Sequence, residues 1–437
     1  MKPVTAVIIG AGSRGSGYAL FQWDFPDRFK VVGVADPKNI RVKRIQKRYN
    51  IPDENTFSDW SEFIKRDKFA DAVIIATPDI LHKAPAVACA DKGYHILLEK
   101  PMAVTEEDCH QIAQACERNN IMLAVCHVLR YHPPFTKVKE LIESGVIGDV
   151  VNIQHTEPIG YWHFAHSYVR GNWRQEESST FSLLAKSCHD LDLLRYWMGK
   201  HRLALLEFES EITLSVHRSS FGSLQHFRKE NKPVGAGSRC LDCSVEANCP
   251  YSAKKIYLDK DEEKYSRWPI KVISEIHDIE NITKALEDKQ YGRCVYECDN
   301  DVCDNQVVNF AFEGGRTASF TMVAFTETLF ERQTKVYGTR GEITSLGTGP
   351  VHVYDFITNK TTRHDTAAPP SGTHLDGHGG ADYFLMDAFV RAVSTNDASH
   401  ISTGPQDALA SHLLVFAAEK ARRENRIITI NEDYTYQ

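Results

Sequence analysis

The sequence has no uninterrupted apolar run of the ~18 residues that a membrane-spanning helix needs. Its net charge of −7 offers no basic field for a nucleic acid, and the basic cluster at residues 41–48 is interpreted as one solvated helix face. Eleven cysteines among 437 residues are too sparse for a secreted domain held by disulfides. These features exclude a membrane span and disfavour a nucleic-acid partner.

The amino terminus leaves no room for a cleavable leader. Met1 is followed within a few residues by the apolar run Val4–Ile9, which enters a glycine turn at Gly10. We therefore expect the protein to stay in the cytoplasm.

The chain is longer than the ~250–300 residues at which one hydrophobic core usually stops growing, so two domains are expected. Residues 1–128 alternate short apolar runs with amphipathic segments, which predicts a Rossmann-type α/β domain with a parallel sheet. Residues 129–437 predict an α+β domain, with a helix at Leu183–Trp197 and a strand at Leu205–Val216 among its elements. A polar, cysteine-bearing stretch at about 219–305 is interpreted as an insertion.

A glycine turn directly after the first strand predicts a dinucleotide site. Its glycines allow backbone to approach a pyrophosphate, and the following helix offers N–H groups. Asp36 ends the second strand, where a carboxylate accepts hydrogen bonds from ribose hydroxyls and repels a 2′-phosphate, which favours NAD. Lys38 and Arg41 stand nearby and can accept that phosphate, so NADP stays open. The cofactor-binding residues predicted from this region are Gly10, Gly12, Ser13, Arg14, Gly15 and Asp36.

Further motifs follow in a fixed order along the chain. They are Ala76-Thr77-Pro78 with His82, Glu99-Lys100-Pro101, Arg130-Tyr131, and His189 with Asp192. With the glycine turn, they resemble the glucose-fructose oxidoreductase, inositol dehydrogenase and rhizopine-catabolism (Gfo/Idh/MocA) superfamily. The most specific motif contains Lys100, at the carboxyl end of a strand where open α/β sheets place their ligands.

The resemblance implies a large open-faced mixed β-sheet in the second domain, which pairs with a copy of itself in a homodimer or homotetramer. It implies that Lys100 contacts substrate and cofactor and that His189 is an acid/base. It also implies roles in cofactor binding for Thr77, Pro78, His82 and Glu99, and roles in substrate binding for Arg130 and Asp192.

One position departs from the family pattern. Many members have Asp four residues before the histidine, where this chain has Ala185 followed by Lys186. On a continuous helix Lys186 would project near His189. We therefore predict Lys186 as a third catalytic residue that lowers the pKa of the histidine or transfers the proton itself.

An aromatic-rich stretch before the His189 helix suits a sugar ring. Tyr161, Trp162, Trp173 and Arg174 are predicted to stack on the ring or bind its hydroxyls, with packing beneath the helix as the alternative. His378 lies on a glycine-rich loop that is predicted to reach the same pocket, with a helix entry capped by Asp382 as the equal alternative. Metal binding by His374 and His378 is an alternative for this loop, but the sequence shows no third ligand for such a site.

Three closely spaced thiols predict a structural metal site in the insertion. Cys240, Cys243 and Cys249 have a spacing that suits zinc, with the fourth ligand open among His226, Cys294 and Cys298. An iron-sulfur cluster and unliganded thiols are the alternatives.

The sequence and the resemblance predict an NAD(P)-dependent oxidoreductase that transfers hydride to or from a secondary hydroxyl of a sugar, sugar derivative or cyclitol. One alternative is an NAD-requiring glycosidase that oxidises C3 transiently and eliminates the glycoside. Another is a nucleotide-sensing binding protein without turnover. Neither nucleic acid nor membrane is an expected partner.

Overall fold

The computed structural model describes residues 2–199, 216–258 and 267–430. In these ranges no helix combines the length and apolar character required to cross a membrane. Of the strand predicted at Leu205–Val216, residues 205–215 lie outside the described residues.

The amino-terminal domain contains a six-stranded parallel sheet whose central strands are buried runs of Val, Ile, Leu and Ala, as expected when helices cover both faces. Its strands are β1 (Val4–Ile9), β2 (Phe29–Ala35), β3 (Thr56–Phe57), β4 (Ala72–Ile75), β5 (His95–Leu98) and β6 (Leu123–Val125). The strand order is β3-β2-β1-β4-β5-β6, and the direction of winding reverses between β1 and β4. Ligands of open α/β sheets bind outside the carboxyl ends of the strands at this switch.

Helices fill the connections between these strands. They are α1 (Ser13–Ala19), α2 (Phe21–Asp24), α3 (Asn39–Tyr49), α4 (Trp60–Ile64), α5 (Lys83–Asp91) and α6 (Glu106–Arg118). The start of α6 follows from the sequence, because the Thr105 hydroxyl accepts the Asp108 N–H at 3.1 Å and three acids occupy the first turn.

The second domain contains a nine-stranded mixed sheet. Its strands are β7 (Val150–Pro158), β8 (Val216–Ser223), β9 (Asn305–Ala311), β10 (Thr317–Val323), β11 (Gln333–Gly338), β12 (Gly341–Leu346), β13 (Val351–Asp355), β14 (Lys360–His364) and β15 (Ile428–Ile430). Their order is β14-β13-β12-β11-β7-β10-β9-β8-β15, and β7 with β10 is the parallel pair. The predicted fold class, a Rossmann domain followed by an α+β domain with a large mixed sheet, is confirmed.

One face of this sheet packs against helices and the other is open. The register aligns Phe221 with Val307 and Gln333 with Leu346 on the open face. Phe221, Val307 and Leu346 are 61%, 37% and 59% exposed, whereas the next row, which includes Phe320, is buried. This alternation of exposure is typical of a sheet with one covered face.

The second domain also contains helices before and between the strands of its sheet in the described ranges. They are α7 (Pro133–Glu143), α8 (Tyr161–Phe164), α9 (Ser182–Ala185), α10 (Cys188–Met198), α11 (Ala253–Tyr257), α12 (Ile279–Asp288), α13 (Ala381–Thr395) and α14 (Pro405–Glu424). The prediction of one continuous helix over Leu183–Trp197 is wrong, because α9 ends at Ala185 and α10 begins at Cys188.

The segment between β8 and β9 has a small core of its own. Its buried residues include Tyr257, Ile270, Ile282, Leu286 and Cys240, separate from the main core. Such a short list of apolar residues buries little area, so this segment depends on other interactions for its order.

Candidate functional site

The glycine turn joins β1 to α1 at the switch point of the parallel sheet. Gly10 has a φ of +92°, and a Cβ at this position would lie 2.5 Å from the Ala76 carbonyl oxygen. A Cβ at Gly15 would lie 2.1 Å from the Gly10 carbonyl oxygen. Only glycine fits at either position, so the turn has the close backbone approach that a dinucleotide pyrophosphate requires.

Asp36 is buried and oriented toward the same turn. Its Oδ2 accepts the Ala11 N–H at 2.8 Å, and its Oδ1 accepts the Lys38 N–H at 2.8 Å. Two main-chain donors therefore fix the carboxylate at the end of β2, where the ribose of a dinucleotide lies in this fold.

The two cations beside Asp36 are bound to an acid that the sequence did not single out. Glu275 accepts hydrogen bonds from Lys38 Nζ at 3.1 Å and from Arg41 Nε at 2.9 Å. Arg44 Nη2 adds a contact of 3.5 Å to the same carboxylate. Burial raises the pKa of Glu275, but Arg41 and Lys38 outweigh it and hold the pKa below its ordinary value, so the carboxylate stays charged.

Arg14, predicted to bind cofactor, links the glycine turn to two carboxylates. Its Nε lies 2.6 Å from Glu99, and its Nη1 lies 2.8 Å from Asp382 at the start of α13. Burial raises the pKa of Glu99, but Arg14 and Lys100 outweigh it and hold the pKa below its ordinary value. The remaining Glu99 oxygen accepts the Lys100 N–H at 3.0 Å, so Glu99 fixes the backbone of its own motif.

The Lys100 side chain crosses from the Rossmann domain to the second domain. Its Nζ donates to the Ala185 carbonyl oxygen at 2.6 Å, at the end of α9. The adjoining backbone is supported by α14, because His412 Nε2 accepts the Met102 N–H at 2.8 Å. The ammonium is therefore held four residues before the predicted acid/base on the chain.

His189 is buried on the first turn of α10, and its Nδ1 has no hydrogen-bond partner in the described part of the chain. Burial, followed by the charges of Lys100 and His127, lowers the pKa of His189 well below its ordinary value. The imidazole is thus neutral at neutral pH, as a proton acceptor must be. The structure brings Lys100 and His189 into one electrostatic environment.

His378 lies beside His189, with 6.2 Å between the ring centroids. Its Nδ1 is 3.0 Å from Asp382, the same carboxylate that Arg14 binds. His378 has a φ of +51°, so its loop turns sharply at this residue. A carboxylate, a histidine and the glycine turn are therefore connected through direct contacts.

Lys186 does not have the neighbour that helical spacing predicts. The helix is interrupted at this residue, and its Nζ lies 2.9 Å from Glu157 and 4.6 Å from the centre of the Phe330 ring. Burial lowers the pKa of Lys186 although Glu157 raises it, and Arg332 adds to the lowering. The observed ion pair with Glu157 replaces the predicted pairing with His189.

Arg130 and Asp192, both predicted to bind substrate, bind each other. Two hydrogen bonds of 2.7 Å join the guanidinium to the carboxylate, and Ser411 donates a third to Asp192 at 2.6 Å. The residues are 4% and 1% exposed. The pair is a buried link between α10 and the turn after β6, and the role of the two residues in substrate binding stays a prediction.

Hydrogen bonds of His82 fix the motif after β4. His82 is fully buried, with Nδ1 2.7 Å from the Pro101 carbonyl oxygen and Nε2 3.1 Å from that of Thr77. His82 holds two loops of the site together through these contacts, and its role in cofactor binding stays a prediction. Thr77 and Pro78 directly follow β4 and face the glycine turn, where the Thr77 nitrogen lies 2.9 Å from an ideal Cβ on Gly10.

The aromatic stretch lies partly against the segment between β8 and β9. The Trp162 ring is 5.4 Å from the Trp268 ring, and the Tyr161 ring is 6.2 Å from that of Tyr251. Trp173 Nε1 donates to Asp79 at 2.9 Å, directly after the Thr77-Pro78 motif.

Arg174 is also engaged, because its Nε lies 3.1 Å from Asp299. Tyr161 is the most exposed of the predicted substrate residues in this stretch, at 36%.

Sequence reasoning missed His127. It follows β6 and therefore lies at the carboxyl edge of the sheet, as the Lys100 motif does. This position is the signal that could have identified it. Its ring lies 5.7 Å from that of His189, and neither ring nitrogen has a partner among the described residues. Burial lowers the pKa of His127 to about 4.

The zinc prediction is corrected. Across the described ranges, no group of three or more His, Cys, Asp or Glu side chains could hold a metal ion. In the separate pair His374 and His378, the Nδ1 atom of His374 lies 2.5 Å from Asp24.

Two family models match the chain in the order of its domains. Residues 4–127 match an oxidoreductase family with an NAD-binding Rossmann fold, and residues 139–218 match the carboxy-terminal α/β domain of the same family. The chain belongs to the Gfo/Idh/MocA oxidoreductase family. The resemblance inferred from the motifs is thereby confirmed.

Relatives are matched to different extents. The YteT protein of Bacillus subtilis (strain 168) is 24% identical over 358 residues, which are 77% of this chain and 76% of YteT. Levoglucosan dehydrogenase of Pseudarthrobacter phenanthrenivorans is 29% identical over 46% of this chain and 52% of its own length. A 2,7-anhydro-N-acetylneuraminate hydratase of Escherichia coli (strain K12) is 28% identical over 44% of this chain and 49% of its own length. Apart from YteT, the chain thus spans about half the length of these relatives.

A solved structure shows the same fold over nearly the whole chain. Levoglucosan dehydrogenase in complex with NADH and L-sorbose has a TM-score of 0.68 at 19% identity, covering 98% of this chain and 99% of that chain.

Proposed function

We propose that this protein oxidises a secondary hydroxyl of a sugar, sugar derivative or cyclitol with a nicotinamide cofactor, or reduces the corresponding ketone. In this proposal residues 1–128 hold the cofactor and residues 129–437 hold the substrate. The observation that supports it is that half-buried Lys100 donates to the Ala185 carbonyl oxygen, four residues before buried His189, and that its charge acts on that histidine. The dehydrogenases among the relatives support the substrate class.

His189 and Lys100 can share the steps of the reaction that involve the substrate hydroxyl, with His189 accepting its proton and Lys100 stabilising the alkoxide. Bound cofactor would supply the hydride acceptor, and the glycine turn with Asp36 would hold its pyrophosphate and ribose. His189 is neutral and can take the hydroxyl proton, while the Lys100 ammonium, with one N–H given to Ala185, can stabilise the alkoxide with the others. Lys186 acts as a positioning residue through its pair with Glu157.

We propose NAD as the preferred cofactor. The Asp36 carboxylate repels a 2′-phosphate, and Glu275 already compensates the charges of Lys38 and Arg41 that could attract one. A dinucleotide without the phosphate therefore meets the more compatible surface.

We also propose that the protein forms a homodimer or homotetramer through the open face of the nine-stranded sheet. Phe221, Val307 and Leu346 expose apolar surface there. A cytoplasmic location is consistent with all eleven cysteines being free thiols.

The test is a screen of pyranoses, cyclitols and glycosides with NAD and NADP separately, following absorbance of the reduced cofactor. We expect Lys100→Met and His189→Asn each to lower kcat by roughly 10²–10⁴-fold while NAD still binds. His110→Asn, on the surface of α6, is the matched control and should leave kcat unchanged. NAD binding without turnover of any substrate would refute the proposal and favour a nucleotide-sensing protein.

A second candidate reaction has no net oxidation, and the hydratase relatives favour it. Release of an aglycone, or hydration of an anhydro sugar, without accumulation of reduced cofactor would identify it in the same screen.

A further inference from the structure

A strap formed by residues 268–276, in the segment between β8 and β9, runs from the second domain to the Rossmann domain. At one end Trp268 packs among aromatic side chains of the second domain, and near the other end Glu275 binds α3. Each attachment lies close to a different part of the candidate site. The strap is therefore in a position to cover a bound dinucleotide.

Glu275 attaches the strap at the ribose end of the site. Its Oε1 lies 2.8 Å from Arg41 Nη2, and its carbonyl oxygen accepts a hydrogen bond from Arg44 Nη2 at 3.1 Å. Arg41 Nη1 in turn lies 3.8 Å from Asp36 Oδ2 and 3.4 Å from an ideal Cβ on Gly12. This attachment is therefore next to both the carboxylate at the end of β2 and the glycine turn.

Trp268 attaches the strap at the opposite end of the site. Its ring lies 5.0 Å from the His163 ring and 6.1 Å from the Phe330 ring. The centre of the Phe330 ring is 4.6 Å from Lys186 Nζ. Lys186 directly follows the residue whose carbonyl oxygen accepts the Lys100 ammonium, so this end of the strap lies toward the proposed catalytic residues.

The middle of the strap is held by the small core of its own segment. Ile270 and Ile273 are buried in that core. His277 Nε2 also donates to the Lys271 carbonyl oxygen at 3.1 Å. These contacts fix the backbone on both sides of Lys271.

Lys271 is a partly buried cation between the two attachments. Among the residues that the structure describes, no carboxylate forms an ion pair or a hydrogen bond with its ammonium. Burial lowers the pKa of Lys271 and the charge of Arg14, on the first turn of α1, adds to the lowering, although Asp376 opposes it. The N–H donors of Lys271 are therefore available to a ligand near the glycine turn.

The order of contacts along the strap follows the order of groups in a dinucleotide. In this fold the adenosine ribose lies at the acid that ends β2, the pyrophosphate lies at the glycine turn, and the nicotinamide lies at the carboxyl edge of the following strands. The strap has Glu275 beside the ribose position, Lys271 within the electrostatic reach of the glycine turn, and Trp268 toward the catalytic residues.

We propose that the strap covers the bound dinucleotide and that Lys271 binds its pyrophosphate. A lysine ammonium is a compact point charge that suits phosphate oxygens. The glycine turn would hold the phosphates from one side and Lys271 from the other. The proposal rests on cofactor binding by residues 1–128, and it adds a segment that lies outside both ranges matched by the family models.

A covered cofactor leaves the site slowly. Release requires the contacts of Glu275 with α3 to open, and it also requires the phosphates to part from Lys271. The dissociation rate of the cofactor therefore reports on the strap directly.

The first measurement follows dissociation of NADH from the full-length protein. Protein loaded with NADH is mixed with excess NAD, and the loss of bound-NADH fluorescence gives the rate. Lys271→Gln should raise this rate roughly tenfold or more, as expected for loss of a charge-assisted hydrogen bond. Lys284→Gln removes the same charge at an exposed position of α12 in the same segment and should leave the rate unchanged. An unchanged rate in Lys271→Gln, or an equal rise in the control, would overturn the assignment.

The second measurement needs no variant. NAD should slow amide hydrogen exchange in residues 268–276 of the natural protein, while exchange in α11 of the same segment should not change. Protection of the glycine turn by NAD without protection of residues 268–276 would overturn the strap. Neither measurement uses a sugar substrate, so failure of the strap is distinguishable from failure of the proposed oxidation.

Discussion

Glu275→Gln tests the origin of the proposed cofactor preference. The substitution keeps the shape of the side chain but removes the charge that Lys38, Arg41 and Arg44 share. A 2′-phosphate bound beside Asp36 would then find cations that no longer have an acidic partner in Glu275. We expect the variant to use NADP better relative to NAD.

The size of the effect follows from Coulomb's law. One unit charge at about 6 Å contributes roughly 0.7–2.8 kcal/mol for effective dielectric constants between about 80 and 20. Glu275 is 26% exposed, so a value near the middle, about 1.4 kcal/mol, is reasonable and equals a tenfold change. The ratio of kcat/KM for NADP to that for NAD should therefore rise about tenfold.

The assay is steady-state kinetics with both cofactors on one substrate, or competition binding if no substrate is known. Glu280→Gln is the matched control, because this residue is exposed on the first turn of α12 in the same segment. An unchanged NADP to NAD ratio in Glu275→Gln, or an equal change in the control, would refute the reasoning. Raising the ionic strength should shrink the effect.

Three further outcomes can be measured. Gly10→Ala should weaken NAD binding strongly in calorimetric titration and lower the free energy of unfolding by about 1–3 kcal/mol in denaturant unfolding, because φ is +92° and a Cβ would clash. The control Gly17→Ala should change neither quantity, because a Cβ there would have no atom within 4 Å. Asp192→Asn should destabilise the fold by about 3–5 kcal/mol by leaving buried Arg130 without its anion, whereas Asp407→Asn, at a 52% exposed side chain, should cost less than about 1 kcal/mol in the same urea titration. Burial raises the pKa of Asp192, but Arg130 outweighs it and lowers the pKa to about 2, below the unfolded value. The contribution of the Asp192 carboxylate to stability should therefore be complete above about pH 4 and fade as the pH falls toward 2. The free energy of unfolding of Asp192→Asn should depend less on acid pH than that of the natural protein.

The parts of the site that sequence reasoning predicted depend on local signals. Gly10 and Asp36 lie at fixed positions relative to two strands, so strand prediction alone placed them at the same edge. Lys100 was identified through the motif that carries the family resemblance, and its position at the carboxyl end of a strand agreed with that role.

The parts that it missed depend on contacts between distant residues. Glu275 reaches Lys38 across 237 positions, and Arg130 reaches Asp192 across 62. No periodicity encodes such pairs. The break after α9 was missed because the residues around Lys186 fit a helical pattern, and only the buried Glu157 shows why the backbone turns there.

The return of α13 and α14 to the first domain bears on whether the two halves are autonomous. The Val125 N–H donates to Thr403 at 3.0 Å, Arg28 pairs with Asp387, and Met102 relies on His412. A fragment ending near residue 128 would lack these partners and expose the apolar side of the sheet that α14 covers. We therefore expect the two halves to unfold as one cooperative unit. Domain exchange with a relative would then have to transplant α13 and α14 together with residues 1–128.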